Sequence, residues 1–106
     1  MKLEVVERAH QMAVEAFALR IRGYSLQDQL RRAAASVVLN LQEGDGRRGA
    51  DRIRLWTVAY ASAKEAERAA LLARDAGLAS RALADSLLAR IDAVAAMTWR
   101  LLHPRR

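Results

Sequence analysis

Apolar residues recur at intervals of three and four along almost the whole chain, and each long break in that rhythm falls on glycine. Such periodicity makes helices the regular structure open to this sequence. Leu3, Val6, His10, Ala13 and Phe17 keep the spacing, with Val5, Ala9, Met12, Ala16 and Leu19 as a neighbouring stripe, and predict a first helix at about 3–22. Gly23 suits its C-terminal cap. Ser25 with Asp28 three residues on resembles a capping box, and Leu26, Leu30, Ala33, Val37 and Leu41 form the stripe of a second helix at about 26–43. The cluster Gly44-Asp45-Gly46-Arg47-Arg48-Gly49 reads as a loop. A third helix, about 50–76, combines Ile53, Trp56 and Tyr60 with the small-residue stripe Ala59, Ala63, Ala66, Ala70 and Ala73, and Gly77 stops it. Ser80 caps a fourth, about 80–102, where Leu83, Leu87, Ile91, Val94, Thr98 and Leu101 recur near every 3.5 residues and Pro104 blocks continuation.

Sustained period-2 alternation and hairpin turns are missing from the sequence, so strands are not expected. A chain of 106 residues, 53% hydrophobic, suits one domain, 1–106, with a real core. Four helices with short connections predict an all-α fold, an up-down-up-down antiparallel four-helix bundle. Val5, Leu19, Leu55, Val58, Leu72, Leu88 and Trp99 lie beyond single stripes, and that apolar surplus predicts a homo-oligomer. The absence of Cys excludes disulfides and thiolate chemistry. Charges enter the first residues too early for a signal core, and no run reaches the roughly 18 apolar residues of a membrane span. The expectation is a cytoplasmic protein with no membrane partner.

Eighteen basic residues face twelve acidic ones, a net charge of +6, and sixteen of the eighteen are Arg. Half of the excess lies in the ten residues 44–49 and 103–106. In the expected topology the chain's start, the connection between helices two and three, and the chain's end share one pole. Lys2, Arg47, Arg48, Arg52, Arg100, Arg105 and Arg106 would gather there. Repeated around a ring of subunits, that pole becomes a basic rim able to release counterions from an RNA or DNA backbone. Trp56, Tyr60 and Trp99 occupy helix positions where core packing is the expected role, so reading of bases is not expected.

Enzyme motifs do not assemble. Gly44-x-Gly46-x-x-Gly49 has the letters of a dinucleotide fingerprint but follows a helix where the motif needs a strand. Its weaker form survives, with Arg47, Arg48 and helix-end amides as a phosphate contact. Glu7-x-x-His10 is half of a di-iron pattern, and the only other His, His103, has Arg100 three before it, so no metal or cofactor is expected. His10 instead reads as a partly buried, hydrogen-bonded side chain on the apolar stripe. Glu65 and Glu67 face different sides of a helix and do not pair with Glu43 as acid and base. Asn40 and Glu43 are expected to tie down the backbone of the glycine turn, with Gly44 and Gly46 as its flexible points.

The stretch Gln29-Leu30-Arg31-Arg32-Ala33-Ala34-Ala35-Ser36-Val37, followed by Asn40-Leu41-Gln42-Glu43-Gly44 and Gly46-Arg47-Arg48, resembles the bacterial four-helix-bundle proteins first noticed as reading frames in 23S rRNA intervening sequences. The likeness continues through Ile53, Arg54, Ala59, Ser62, Glu65 and Glu67, and from Ala73 to Gly77-Leu78. Val38, Leu39 and Gly49 depart from the residues usual in that family. The resemblance implies a ring, typically a homopentamer, and kinship with the accessory variability proteins of diversity-generating retroelements, which bind nucleic acid and a reverse transcriptase. It adds Arg31 and Arg32 to the candidate basic positions. Two readings result: a non-enzymatic oligomeric basic adaptor for nucleic acid, or a structural homo-oligomer without nucleic-acid binding.

Overall fold

Four helices form where the apolar rhythm runs unbroken, in a computed structural model that describes residues 4–105. They are α1 (Glu4–Ala18), α2 (Tyr24–Asp45), α3 (Gly49–Asp75) and α4 (Arg81–Leu102), and no strand occurs among the described residues. Leu3, Lys2 and Arg106 lie outside the described residues, so the packing expected of the first and the basic contacts expected of the other two lie there as well.

Helix α1 stops at Ala18, four residues short of the expected end. Leu19 and Ile21 are nevertheless buried, because the chain folds over the end of the globule to reach α2. There the Arg22 amide donates to the Leu78 carbonyl at 2.8 Å, and its guanidinium donates to the Gly77 carbonyl. Gly23, at φ 140°, takes a backbone conformation that L side chains avoid and becomes the N-cap of α2. The capping box expected at Ser25 does not form, since α2 already begins at Tyr24; Asp28 pairs with Arg32 instead.

The buried face of α1 is Val5, Val6, Ala9, Met12 and Ala16. Four of these five come from the second of the two expected stripes; of the first, Val6 is buried, whereas His10 and Phe17 are exposed. The reason is that α1 packs against both α2 and α4, which centres its buried arc between them. In α2 the core side chains are Leu30, Ala33, Ala34, Val37 and Leu41. Ala59, Ala63, Ala66, Ala70 and Ala73 of α3 are each fully buried, which admits α2 and α4 closely on either side. Leu87, Ile91, Val94 and Thr98 bury the inner face of α4, and the Thr98 hydroxyl satisfies itself on the Val94 carbonyl at 2.8 Å. Ile53 and Leu83, expected inside, are exposed.

Gly77, at φ 73°, ends α3, and the Ser80 hydroxyl caps α4 by accepting from the Leu83 amide at 3.2 Å. Contacts run from α1 to α2, α2 to α3, α3 to α4 and α4 back to α1, and among the described residues no diagonal pair touches. The principal extents are 43 × 23 × 18 Å. No described helix is long and apolar enough to cross a membrane.

Candidate nucleic-acid interface

The turn between α2 and α3 is built around an indole. Gly44 is buried inside the last turn of α2, where a Cβ would stand 2.6 Å from Cδ1 of Trp56. The absence of a side chain lets α3 seat Trp56, which is 6% exposed, against α2. Gly44 is therefore a helix-contact residue, whereas the expectation placed it in a loop. Gly46 does occupy the turn, as the C-cap of α2, and its amide donates to the Glu43 carbonyl at 3.1 Å.

Two of the expected phosphate ligands hold this turn together. Arg52 donates from Nε to the Gly44 carbonyl and from Nη2 to the Asp45 carbonyl, both at 3.0 Å, while its guanidinium lies 5.1 Å from the centre of the Trp56 ring. Arg47 bridges the last turn of α2 to the first turn of α3, with Nη2 on Glu43 at 3.0 Å and Nη1 on Asp51 at 2.9 Å. A hydrogen bond from Arg54, with the nearby charges of Arg47 and Arg54, holds the Asp51 carboxyl below the usual aspartate value. Asn40 does not tie the turn: its amide donates to the Ser36 carbonyl at 2.8 Å and meets the Ser36 hydroxyl, which bonds Ser62 of α3. One helical turn too far from the glycines, it braces the α2–α3 contact instead. Arg48, by contrast, is the extended N-cap of α3, exposed and without a carboxylate partner among the described residues.

Arg31 and Arg32 lie in the first half of α2, far along the helix from the glycine turn. Arg31 donates to the Phe17 carbonyl at 3.1 Å and stands 5.7 Å from the Phe17 ring centre, closing the end of α1. Arg32 is paired with Asp28 at 2.7 Å, yet its side chain is 80% exposed. Such an exposed pair is weak and can be exchanged for another anion.

The end of α4 forms a second cationic region. An open groove of about 700 Å³ runs between α3 and α4, bordered by Tyr60 and Lys64 on one side and Trp99, Arg100, His103 and Arg105 on the other. Trp99, expected in the core, is 47% exposed. It follows Thr98 directly, and one residue along a helix turns the side chain about 100° away from the buried stripe. That offset was the available signal. The Trp99 and His103 rings stack at 4.0 Å between centroids and 19° between planes. His103 Nδ1 donates to the Trp99 carbonyl at 2.9 Å, which fixes the imidazole over the indole. Lys64 is paired with Glu67 at 3.0 Å, whereas Arg100 and Arg105 have no carboxylate partner among the described residues.

A third feature is apolar: a groove of about 380 Å³ where His10, Val14 and Phe17 of α1 meet Val38 and Leu39 of α2. Val14 is 58%, Phe17 48% and Leu39 66% exposed. Among the described residues no three His, Asp or Glu side chains converge to hold a metal.

Comparison with known proteins gives one assignment: the family model described as 23S rRNA-intervening sequence protein matches residues 1–100. No curated protein matches the chain.

Proposed function

Starting from the chain's membership of the 23S rRNA-intervening sequence protein family, we propose that it is a non-enzymatic, self-assembling basic adaptor that binds a nucleic-acid backbone. The observation that carries this reading is that, among the described residues, Arg48, Arg100 and Arg105 are exposed and without a carboxylate partner, while Arg32, Arg47, Arg54 and Arg74 are matched with carboxylates. Guanidinium groups without a carboxylate partner have no ion pair to break before meeting a phosphate, and each phosphate contact adds to the salt dependence of binding.

The helix order is read as an up-down-up-down bundle. Supporting it, Arg74 meets Asp85 near one end of the α3–α4 pair while Tyr60 and Trp99 border the groove at the other, as oppositely directed helices require. Glu15 likewise meets Arg90, and Glu4 lines a cleft with Arg100. This arrangement brings Arg48 to the same end of the molecule as Arg100 and Arg105. Copies associate through the apolar α1–α2 groove into a ring, a pentamer by family resemblance, and the cationic ends form a common rim. A reverse transcriptase is the polymerase partner the same resemblance suggests, and the cytoplasm the compartment.

A second reading, a structural oligomer indifferent to nucleic acid, is favoured by Arg31, Arg47 and Arg52, which already serve intramolecular contacts. Light-scattering mass after size exclusion, with and without a structured RNA, at about 50 and 200 mM salt separates the two, because phosphate contacts weaken steeply across that range. The adaptor reading expects an oligomer that takes up RNA at the lower salt and loses it when Arg48, Arg100 and Arg105 become Ala. Arg47 is left intact in that variant, since its removal would strand Glu43 and cut the tie from α2 to Asp51 of α3. An oligomer that ignores RNA at both salts establishes the structural reading, and a monomer overturns both.

A further inference from the structure

We propose that the groove between α3 and α4 seats a single unpaired nucleobase, which extends the Trp99–His103 stack while its phosphate rests against Arg100 and Arg105. The inference rests on the nucleic-acid reading above and deepens it, naming single-stranded rather than duplex nucleic acid as the ligand.

The stack is already built in the geometry that bases use. Two rings 4.0 Å apart and 19° from parallel present π-faces, and 47% of Trp99 remains open to solvent beside a groove of about 700 Å³. That volume lies within the range of small-ligand sites, about 300–1,000 Å³. The His103 ring is held by its Nδ1 bond to the Trp99 carbonyl, so the platform loses little freedom on binding. Ala95 and Ala96 line the groove with small side chains that leave the space above them open. Duplex bases hide their faces in the helix, whereas an unpaired base can offer one to an aromatic ring.

Charge sets the direction of the ligand. Arg100 and Arg105 are cations beside the aromatic pair, without a carboxylate partner among the described residues. Asp92 lies farther along the same groove, near enough to Lys64 to raise the ammonium pKa together with Glu67, the larger influence. A phosphate is drawn to the arginines and repelled by Asp92, which orders sugar-phosphate and base along the groove.

The test uses the full chain and two probes of equal charge, a short oligoadenylate and an abasic chain of the same number of phosphates, at about 50 mM salt. Oligoadenylate is expected to bind about tenfold more tightly, the scale of one stacked base, and to quench tryptophan emission. Trp99 is the emitter that reports, since Trp56 is buried in the core. Trp99→Ala should bring the affinity for oligoadenylate down to that for the abasic chain, and Trp99→Phe should retain part of the difference. Equal binding of the two probes by the unaltered protein overturns the inference and leaves the adaptor reading standing, as does wild-type preference in Trp99→Ala. Binding of neither probe overturns this inference, and overturns the adaptor reading with it only where the structured RNA is ignored as well.

Discussion

A Cβ on Gly44 would press on the indole of Trp56 at 2.6 Å from Cδ1 and 2.7 Å from Nε1, and the fused ring cannot swing away as a flexible chain end would. The same atom on Gly46 would meet nothing nearer than the Glu43 carbonyl at 3.6 Å, at a φ of −87° that any residue adopts. Gly44→Ala should therefore lower stability by about 1–3 kcal/mol, the usual cost of overpacking, while Gly46→Ala should stay within ~0.5 kcal/mol, both read from urea denaturation. The sequence shows these two glycines as equals in one cluster, because it records the backbone freedom of Gly and not the ring that approaches one of them. The structural part of Arg52 was hidden for the same reason. Its charge was legible, but the bare carbonyls of Gly44 and Asp45 that consume its hydrogen bonds depend on where α2 ends.

Helix α3 carries an acid near each end, Asp51 in its first turn and Asp75 as its last residue. A hydrogen bond from Arg74 holds the Asp75 carboxyl low, as one from Arg54 does for Asp51. A carboxyl whose folded pKa is depressed stabilises the fold above its unfolded value, about 4, and that contribution disappears as pH falls through the lower folded value. Thermal melts followed by circular dichroism should thus change little from about pH 7 to 5 and decline below about pH 4, with a shallower decline in Asp51→Asn and in high salt. Among the elements themselves, all four helices, the stop at Gly77 and the start at Ser80 were legible, since periodicity and capping chemistry are local. The end of α1 was not. Leu19 and Ile21 continue the apolar pattern but bury themselves from a non-helical crossing, a choice made by the tie between Arg22 and Leu78 more than fifty residues away.

At the scale of the whole molecule, two grooves differ in character: a cationic and aromatic one at the end of α4, and an apolar one lined by Val14, Phe17 and Leu39 between α1 and α2. If that groove joins copies, Phe17→Glu or Leu39→Glu should lower the mass measured by light scattering while leaving far-ultraviolet ellipticity unchanged, because both side chains are exposed in the single chain. An unchanged mass would move the interface elsewhere, to the exposed Leu72 and Leu83. The interior has an asymmetry of its own. Leu30 and Leu41 from α2 and Leu87 and Ile91 from α4 share one core with six buried alanines of α3, five of them fully buried. A leucine can be trimmed or reshaped, but a buried alanine can only grow, at the expense of its neighbours, or shrink to glycine, which loosens the helix by about 0.5–1 kcal/mol. Saturation mutagenesis of the core should consequently be one-sided: the leucines of α2 and α4 exchange for other hydrophobic side chains more readily than the alanines of α3, the fixed ruler against which they are fitted.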